Sequence, residues 1–382
     1  MKVFLIAGEP SGDKLGAALM EGLCVAAPPV SFTGVGGPMM QQVGLDSLFP
    51  MDELSVMGIA EVLPKYRHLK RRIRQTADAV IAAQPDVLIT IDSPDFCLRL
   101  ARLVKAASSI RTVHYVAPTV WAWRPKRAAK MAQVIDHVLA LFPFEPPYMR
   151  AAGMDCDFVG HPIATEPPVT QAEITDFKAR WGMIDHPVLA VLPGSRRSEI
   201  ARLGPRFDAA FAQVAAEFKT VLIPTLPHLV DAVDEALPLR GASVRYTVSG
   251  QNMRPDQAAR ERLVAMACAD VALAASGTVS LELAAVRTPM VIAYDFNWLT
   301  RVIMKRMAIT DTATLVNLVS DTRVVPEFLL ENCTPDLIAQ GLTQVLTDPA
   351  AQLAALDLTM KRLGRGGDAP GLRAARAVLT RL

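Results

Sequence analysis

Short apolar runs recur along the chain, and between them lie longer stretches in which apolar residues return every three or four positions. The runs predict strands at Val3–Ala7, Val30–Thr33, Val87–Ile91, Thr112–Val116, Val138–Leu141 and Cys156–Val159 in the first half. In the second half they predict strands at Val188–Leu192, Thr220–Pro224, Ser243–Thr247, Val271–Ala274 and Met290–Ala293. The stretches predict helices, for example Lys14–Leu23, Tyr66–Ala83, Glu199–Phe218 and Arg260–Cys268. The strands are apolar at consecutive positions, so both of their faces are buried. Strand–helix alternation of that kind makes parallel sheets covered by helices, an α/β fold.

Two such sets follow one another, which predicts two doubly wound, Rossmann-like domains. The join falls in the proline-rich stretch Gly160-His161-Pro162 and Thr165-Glu166-Pro167-Pro168. The expected domains are residues 1–164 and 165–365, with a break at Gly364–Gly367 before a last helix over about 366–382. A length of 382 residues agrees with more than one core.

Composition adds exclusions. The chain is 51% apolar and 20% charged, with a formal charge of +2, so nothing in its overall charge calls for nucleic acid. No apolar run is long enough to cross a bilayer. The opening MKVFLIAGEPSGD reads as a buried strand running into a turn and a helix, not as a signal peptide. Five scattered cysteines without CxxC spacing argue against a disulfide framework or a zinc site, and suit a reducing cytoplasm.

The candidate chemistry sits where strands meet helices. After the first strand comes Gly8-Glu9-Pro10-Ser11-Gly12-Asp13, which lacks the glycine pattern of a dinucleotide loop. Either Ser11 or Asp13 caps the next helix, or the loop binds sugar hydroxyls; both readings stand. Asp92 follows Val87–Ile91 at a strand tip, where a carboxylate can take a proton from a hydroxyl nucleophile, whereas Asp95 suits a helix cap. In the second half Pro193-Gly194-Ser195-Arg196 and Ser276-Gly277-Thr278 each join a strand to a helix, a setting for an oxyanion. Glu282 lies four residues beyond Thr278 and could hold the two hydroxyls of a ribose. This domain is therefore expected to take a nucleoside diphosphate, with no metal and no cofactor. Asp155-Cys156-Asp157 has an Asp-x-Asp form but lies away from these loops.

AGEPSGD near the start, VMGIAEVL at 56–63, IDSPDF at 91–96, HYVAPTVWAWRPKR at 114–127, PGSR at 193–196 and SGTVSLE at 276–282 resemble the lipid-A-disaccharide synthase family in their order along the chain. The resemblance implies a GT-B fold with two domains facing a cleft. It implies an inverting transfer from UDP-2,3-diacylglucosamine to the 6-hydroxyl of 2,3-diacylglucosamine 1-phosphate, giving a β-1,6-linked disaccharide and UDP. Asp92 corresponds to the family's general base and Arg196 to its UDP-contacting arginine; Glu9, Ser11, Asp13 and Asn317 count as polar cleft residues. Pro10 stands where many members have Ala.

The resemblance further implies a cytoplasmic enzyme held peripherally on the inner membrane of a Gram-negative cell. Its last helix packs on the first domain or is exchanged with that of a partner in a homodimer. An apolar stretch from Met57 followed by Lys65, Arg67, Lys70, Arg71, Arg72 and Arg74 suggests the docking surface. Val62, Leu63, Tyr66, Leu69, Lys70, Arg71, Arg72 and Arg74 are its expected membrane-facing residues, against anionic phospholipid. Tyr66, Leu69, Ile73, Ala77 and Val80 also recur at helical spacing, the pattern of a core face with the basic residues as a solvated exterior, but the docking reading is preferred. Rivals are another GT-B UDP-sugar transferase, a 2-epimerase, or a non-catalytic UDP-sugar sensor.

Overall fold

The first strand shows how the pattern becomes a fold. Val3, Leu5 and Ala7 pack on one side of the sheet, Phe4 and Ile6 on the other, as a two-residue period requires when both faces are covered. The computed structural model describes residues 1–54, 59–122, 126–183, 187–240, 242, 244–296, 301 and 310–382, with backbone alone for 59–65 and 244–245. The chain divides into two units, Met1–Thr165 together with Leu363–Leu382, and Glu166–Arg362.

The first unit runs β1 (Lys2–Ala7), α1 (Pro10–Ala26), β2 (Ser31–Val35), α2 (Pro38–Gln42), β3 (Asp46–Ser47), α3 (Ile59–Ala83), β4 (Val87–Ile91), α4 (Pro94–Ala107), β5 (Arg111–Tyr115), α5 (Lys126–Met131), β6 (His137–Ala140), α6 (Pro146–Ala151) and β7 (Asp155–Phe158). Its strands form one parallel sheet in the order β3-β2-β1-β4-β5-β6-β7. The order reverses between β1 and β4, which lie side by side with Ala7 opposite Ile91. Helix α1 starts at Pro10, earlier than the periodicity suggests, because proline suits a first helical turn that has no partner for its N–H.

The second unit runs α7 (Gln171–Arg180), β8 (Val188–Leu192), α8 (Arg197–Val214), β9 (Thr220–Pro224), α9 (Val230–Ala236), β10 (Val244–Val248), α10 (Pro255–Ala267), β11 (Val271–Ala274), α11 (Val279–Ala285), β12 (Met290–Tyr294), α12 (Leu315–Ser320), β13 (Glu327–Leu329), α13 (Pro335–Thr347) and α14 (Ala350–Arg362). The sheet order is β10-β9-β8-β11-β12-β13, so this strand order reverses in the same way, between β8 and β11. Phe207 and Phe211 of α8 and Ile338 and Leu342 of α13 close over Leu189, Val221 and Leu273. Burying that much aromatic and aliphatic surface supplies most of the stability of such a layer.

Helix α15 (Pro370–Thr380) returns to the first unit and packs on α1 of its own chain. Two glycines allow the approach: a Cβ on Gly22 would stand 2.5 Å from the carbonyl oxygen of Gly371. Arg381 locks the far end, with Nε 2.6 Å from Asp157 and Nη1 2.8 Å from Asp155. The Asp-x-Asp pair is thus occupied by ion pairs that hold the last helix. Among the described residues no helix is long and apolar enough to cross a membrane.

Candidate active site

In each unit the strand order reverses beside one pair of strands, and open α/β sheets bind ligands beyond the carboxyl ends of such pairs. In the first unit the loops there are Gly8-Glu9 and Asp92-Ser93. They lie close together: a Cβ on Gly8 would stand 2.6 Å from Ser93 Oγ, so a side chain there would push Ser93 aside. Asp92 and Ser93 both hold left-handed backbone, φ +50° and +43°. That costs about 1–3 kcal/mol per residue and persists only where the surroundings enforce it. Here the Asp92 N–H donates to the Tyr115 carbonyl at 3.0 Å, which fixes the turn and leaves the half-buried carboxylate at the strand tip. Glu9 is half-buried and precedes α1, Ser11 is exposed on its first turn, and Asp95 is exposed on the first turn of α4.

Asp13 requires a correction. It neither caps its own helix nor offers its carboxylate to a ligand. It is 3% exposed and accepts backbone N–H bonds from Gly37 (2.9 Å), Met39 (2.9 Å) and Met40 (3.0 Å), and so caps α2 from the neighbouring helix. Asn317 needs the same correction. It is 1% exposed; its amide donates to the Val325 carbonyl and to Thr312 Oγ1, and its oxygen accepts the Val325 N–H. Asn317 pins the loop after α12 and has no donor left over for a sugar.

The basic helix α3 divides likewise. Tyr66, Lys70, Arg71 and Arg74 are exposed. Leu69 packs against the cluster around Phe4, and Arg72 grips Glu53 with Nε at 2.8 Å and Nη2 at 2.7 Å while its guanidinium lies 4.3 Å above the Phe49 ring. Arg72 holds the Glu53 carboxyl below the usual carboxylate range. Leu69 and Arg72 are thus turned inward, because one face of a helix that covers a sheet must carry the core contacts. The calls on Val62 and Leu63, and the apolar stretch from Met57, lie outside the described side chains.

In the second unit the loops after β8 and β11 wall a cavity of about 300 Å³. Gly194, Ser195, Arg196, Ser276, Gly277, Thr278 and Glu282 all line it, so one cavity gathers every nucleotide-site residue expected from the sequence. Gly194 and Gly277 take φ +125° and +151°, which other residues rarely adopt. Among the other lining residues, Glu199, Thr225, Arg262 and Met266 escaped sequence reasoning.

Glu199 changes the electrostatics. Its carboxylate accepts the Ser195 N–H at 3.0 Å and the Tyr294 hydroxyl at 2.9 Å, and lies 3.5 Å from Arg196 Nη1. A carboxylate therefore already sits at the N-terminus of α8. Burial together with Glu199 pushes the Tyr294 hydroxyl up to about 12, so it stays a donor. What this loop offers an anion is the Arg196 guanidinium. Across the cavity Arg262 Nη2 donates to Glu282 Oε1 at 3.0 Å. Burial pushes the Glu282 carboxyl up, and the Arg262 charge pulls it back.

Two doubly wound units, one presenting a carboxylate at its strand tips and the other a polar cavity with arginine and glycine loops, define a GT-B-type protein. The fold is shared with solved structures: UDP-GlcNAc 2-epimerase from Neisseria meningitidis bound to UDP-GlcNAc has a TM-score of 0.61 at 12% identity, covering 100% of this chain and 99% of that one. MurG from Acinetobacter baumannii has a TM-score of 0.58 at 13% identity, with coverage of 100% and 99%. The family model described as lipid-A-disaccharide synthetase matches residues 3–365. A lipid-A-disaccharide synthase from Ruegeria pomeroyi is 62% identical, covering 100% of this chain and 96% of the relative, and one from Rhodospirillum centenum is 44% identical, covering 99% and 94%. The chain belongs to the lipid-A-disaccharide synthase family, whose members are UDP-sugar glycosyltransferases.

Proposed function

We propose that the chain transfers the diacylglucosaminyl group of UDP-2,3-diacylglucosamine to the 6-hydroxyl of 2,3-diacylglucosamine 1-phosphate, with inversion. Asp92 carries the reading. A carboxylate at the tip of β4, on backbone held in a strained conformation, suits a general base. It takes the proton of the acceptor hydroxyl as that oxygen bonds to the donor anomeric carbon. The bond from that carbon to the diphosphate breaks, and its electron pair leaves on the UDP oxygen.

The cavity of the second unit receives the UDP. Arg196 and the Ser276-Gly277-Thr278 loop hold the diphosphate and offset the charge that grows on it, and Glu282 accepts the ribose hydroxyls. Glu9 and Ser11 bind the acceptor sugar. The exposed Tyr66, Lys70, Arg71 and Arg74 rest on an anionic phospholipid surface at the inner face of the inner membrane, from which both acylated substrates are drawn.

The test is Asp92→Asn in the purified protein with both acylated substrates, products followed by mass spectrometry. Turnover is expected to fall roughly 10²–10⁴-fold while UDP binding stays within about two-fold. A folded variant with near-normal turnover removes Asp92 from the role, and Glu9 becomes the base to examine.

A further inference from the structure

Two arginine–carboxylate pairs face the cavity of the second unit, Arg196 with Glu199 and Arg262 with Glu282. The second has no sequence signal. Arg262 stands on α10, four residues before Met266 and on the same helix face, and both side chains reach the cavity wall. Its Nη2 meets only one oxygen of Glu282, Oε1 at 3.0 Å, where a guanidinium can engage both. Its Nε is buried and has no hydrogen-bond partner. Glu282 projects from the first turn of α11, and the charge of Glu166 acts against it. An unopposed carboxylate in that setting would turn away from the cavity or take up a proton, and either would remove an acceptor.

We infer that Arg262 is the positioning residue of the nucleoside pocket: it holds the Glu282 carboxylate turned inward, so that Glu282 reads the ribose hydroxyls. The inference rests on the proposal that this cavity binds UDP. It adds a specificity: the discrimination between ribose and deoxyribose depends on a residue that itself need not touch the sugar. Arg262→Met keeps the packing along α10 and removes the charge; Arg262→Lys keeps a charge but not the fork.

Isothermal titration with UDP and with 2′-deoxy-UDP tests it, with the melting temperature of each variant as a check on folding. The wild type is expected to bind UDP about ten-fold more tightly than 2′-deoxy-UDP, the scale of one hydrogen bond to a charged group. Arg262→Met is expected to lose most of that preference, binding 2′-deoxy-UDP nearly as the wild type does. Arg262→Lys should recover part of it. Glu282→Gln should lose it too, with no further loss in the double variant. In turnover the KM for the donor should rise while kcat holds. A Met variant that keeps the full preference overturns the role of Arg262, as would equal loss for both nucleotides. A wild type that binds neither overturns the UDP reading of the cavity, and this inference with it.

Discussion

Asp13→Ala separates the two roles that a carboxylate in the first loop can have. In the structure Asp13 holds three N–H groups at the start of α2, and two of the three bonds, to Gly37 and Met40, are buried. A hydrogen bond to an ionised group contributes about 1.5–3 kcal/mol net, so three would sum to roughly 5–9 kcal/mol if they were independent. They are not, because the freed end of α2 can fray and the Met39 N–H can reach water, which brings the expected loss to about 3–5 kcal/mol. For a unit of this size 1 kcal/mol moves the melting temperature by about 2–4 °C, so a fall of about 10 °C is expected. Asp13→Asn should lose nearly as much, since an amide turns a donor toward one of the three N–H groups. The assay is thermal and urea unfolding, with turnover measured well below both melting points. A loss under about 1 kcal/mol, or a large fall in turnover without destabilisation, would refute the capping role and return Asp13 to the ligand.

Other parts of the molecule make shorter predictions. Arg196→Ala should weaken UDP binding by about 1.5 kcal/mol in calorimetry, the low end for such a bond because the side chain is 65% exposed. Turnover should survive EDTA; an absolute need for a divalent cation would shift the leaving-group role from arginine to metal. Replacing Lys70, Arg71 and Arg74 by Gln should cut sedimentation with anionic liposomes about a hundred-fold at low salt, at about 1 kcal/mol per charge. Arg72→Gln should lower the melting temperature instead, because it breaks both bonds to Glu53 and leaves that carboxylate only its contact with His68. Glu145, 2% exposed, accepts the Phe142 N–H, and burial pushes its carboxyl up to about 8. A folded value above the unfolded one means that this stability is full below about pH 4.5 and is lost as pH rises toward 8. Glu145→Gln should therefore gain stability relative to the wild type between pH 5 and pH 9 in urea titrations, and parallel curves would contradict that.

The strands were legible because parallel strands buried on both faces leave uninterrupted apolar runs. Val87–Ile91, Val188–Leu192 and Thr220–Pro224 begin and end where the pattern does. Strand β13 escaped because Glu327–Leu329 is a half-exposed edge strand with no apolar run, and β3 because Asp46–Ser47 is too short for a period. The loops of the nucleotide site could be read because each follows a strand directly. Roles set by distant contacts could not. Asp13 looks like a cap or a ligand residue until Gly37 is beside it, and Asn317 looks available until Val325 folds back on it. Arg262 and Glu282 stand on different helices, so their spacing along the chain carries no sign that they meet.

The return of α15 to α1 has a consequence for how the molecule is made. The first unit lacks one of its helices until residues near the end of the chain have been synthesised, because Ala374, Ala375 and Val378 belong to its core. The second unit is contiguous from Glu166 to Arg362 and leaves the ribosome complete while the first still waits. Folding on the ribosome usually proceeds from the N-terminal domain onward; here the inner unit is the first that can finish. Until α15 arrives, the face of α1 around Ala18 and Gly22 stays open to water or to a chaperone, and the last helix seals a unit whose first strand was made some 360 residues earlier.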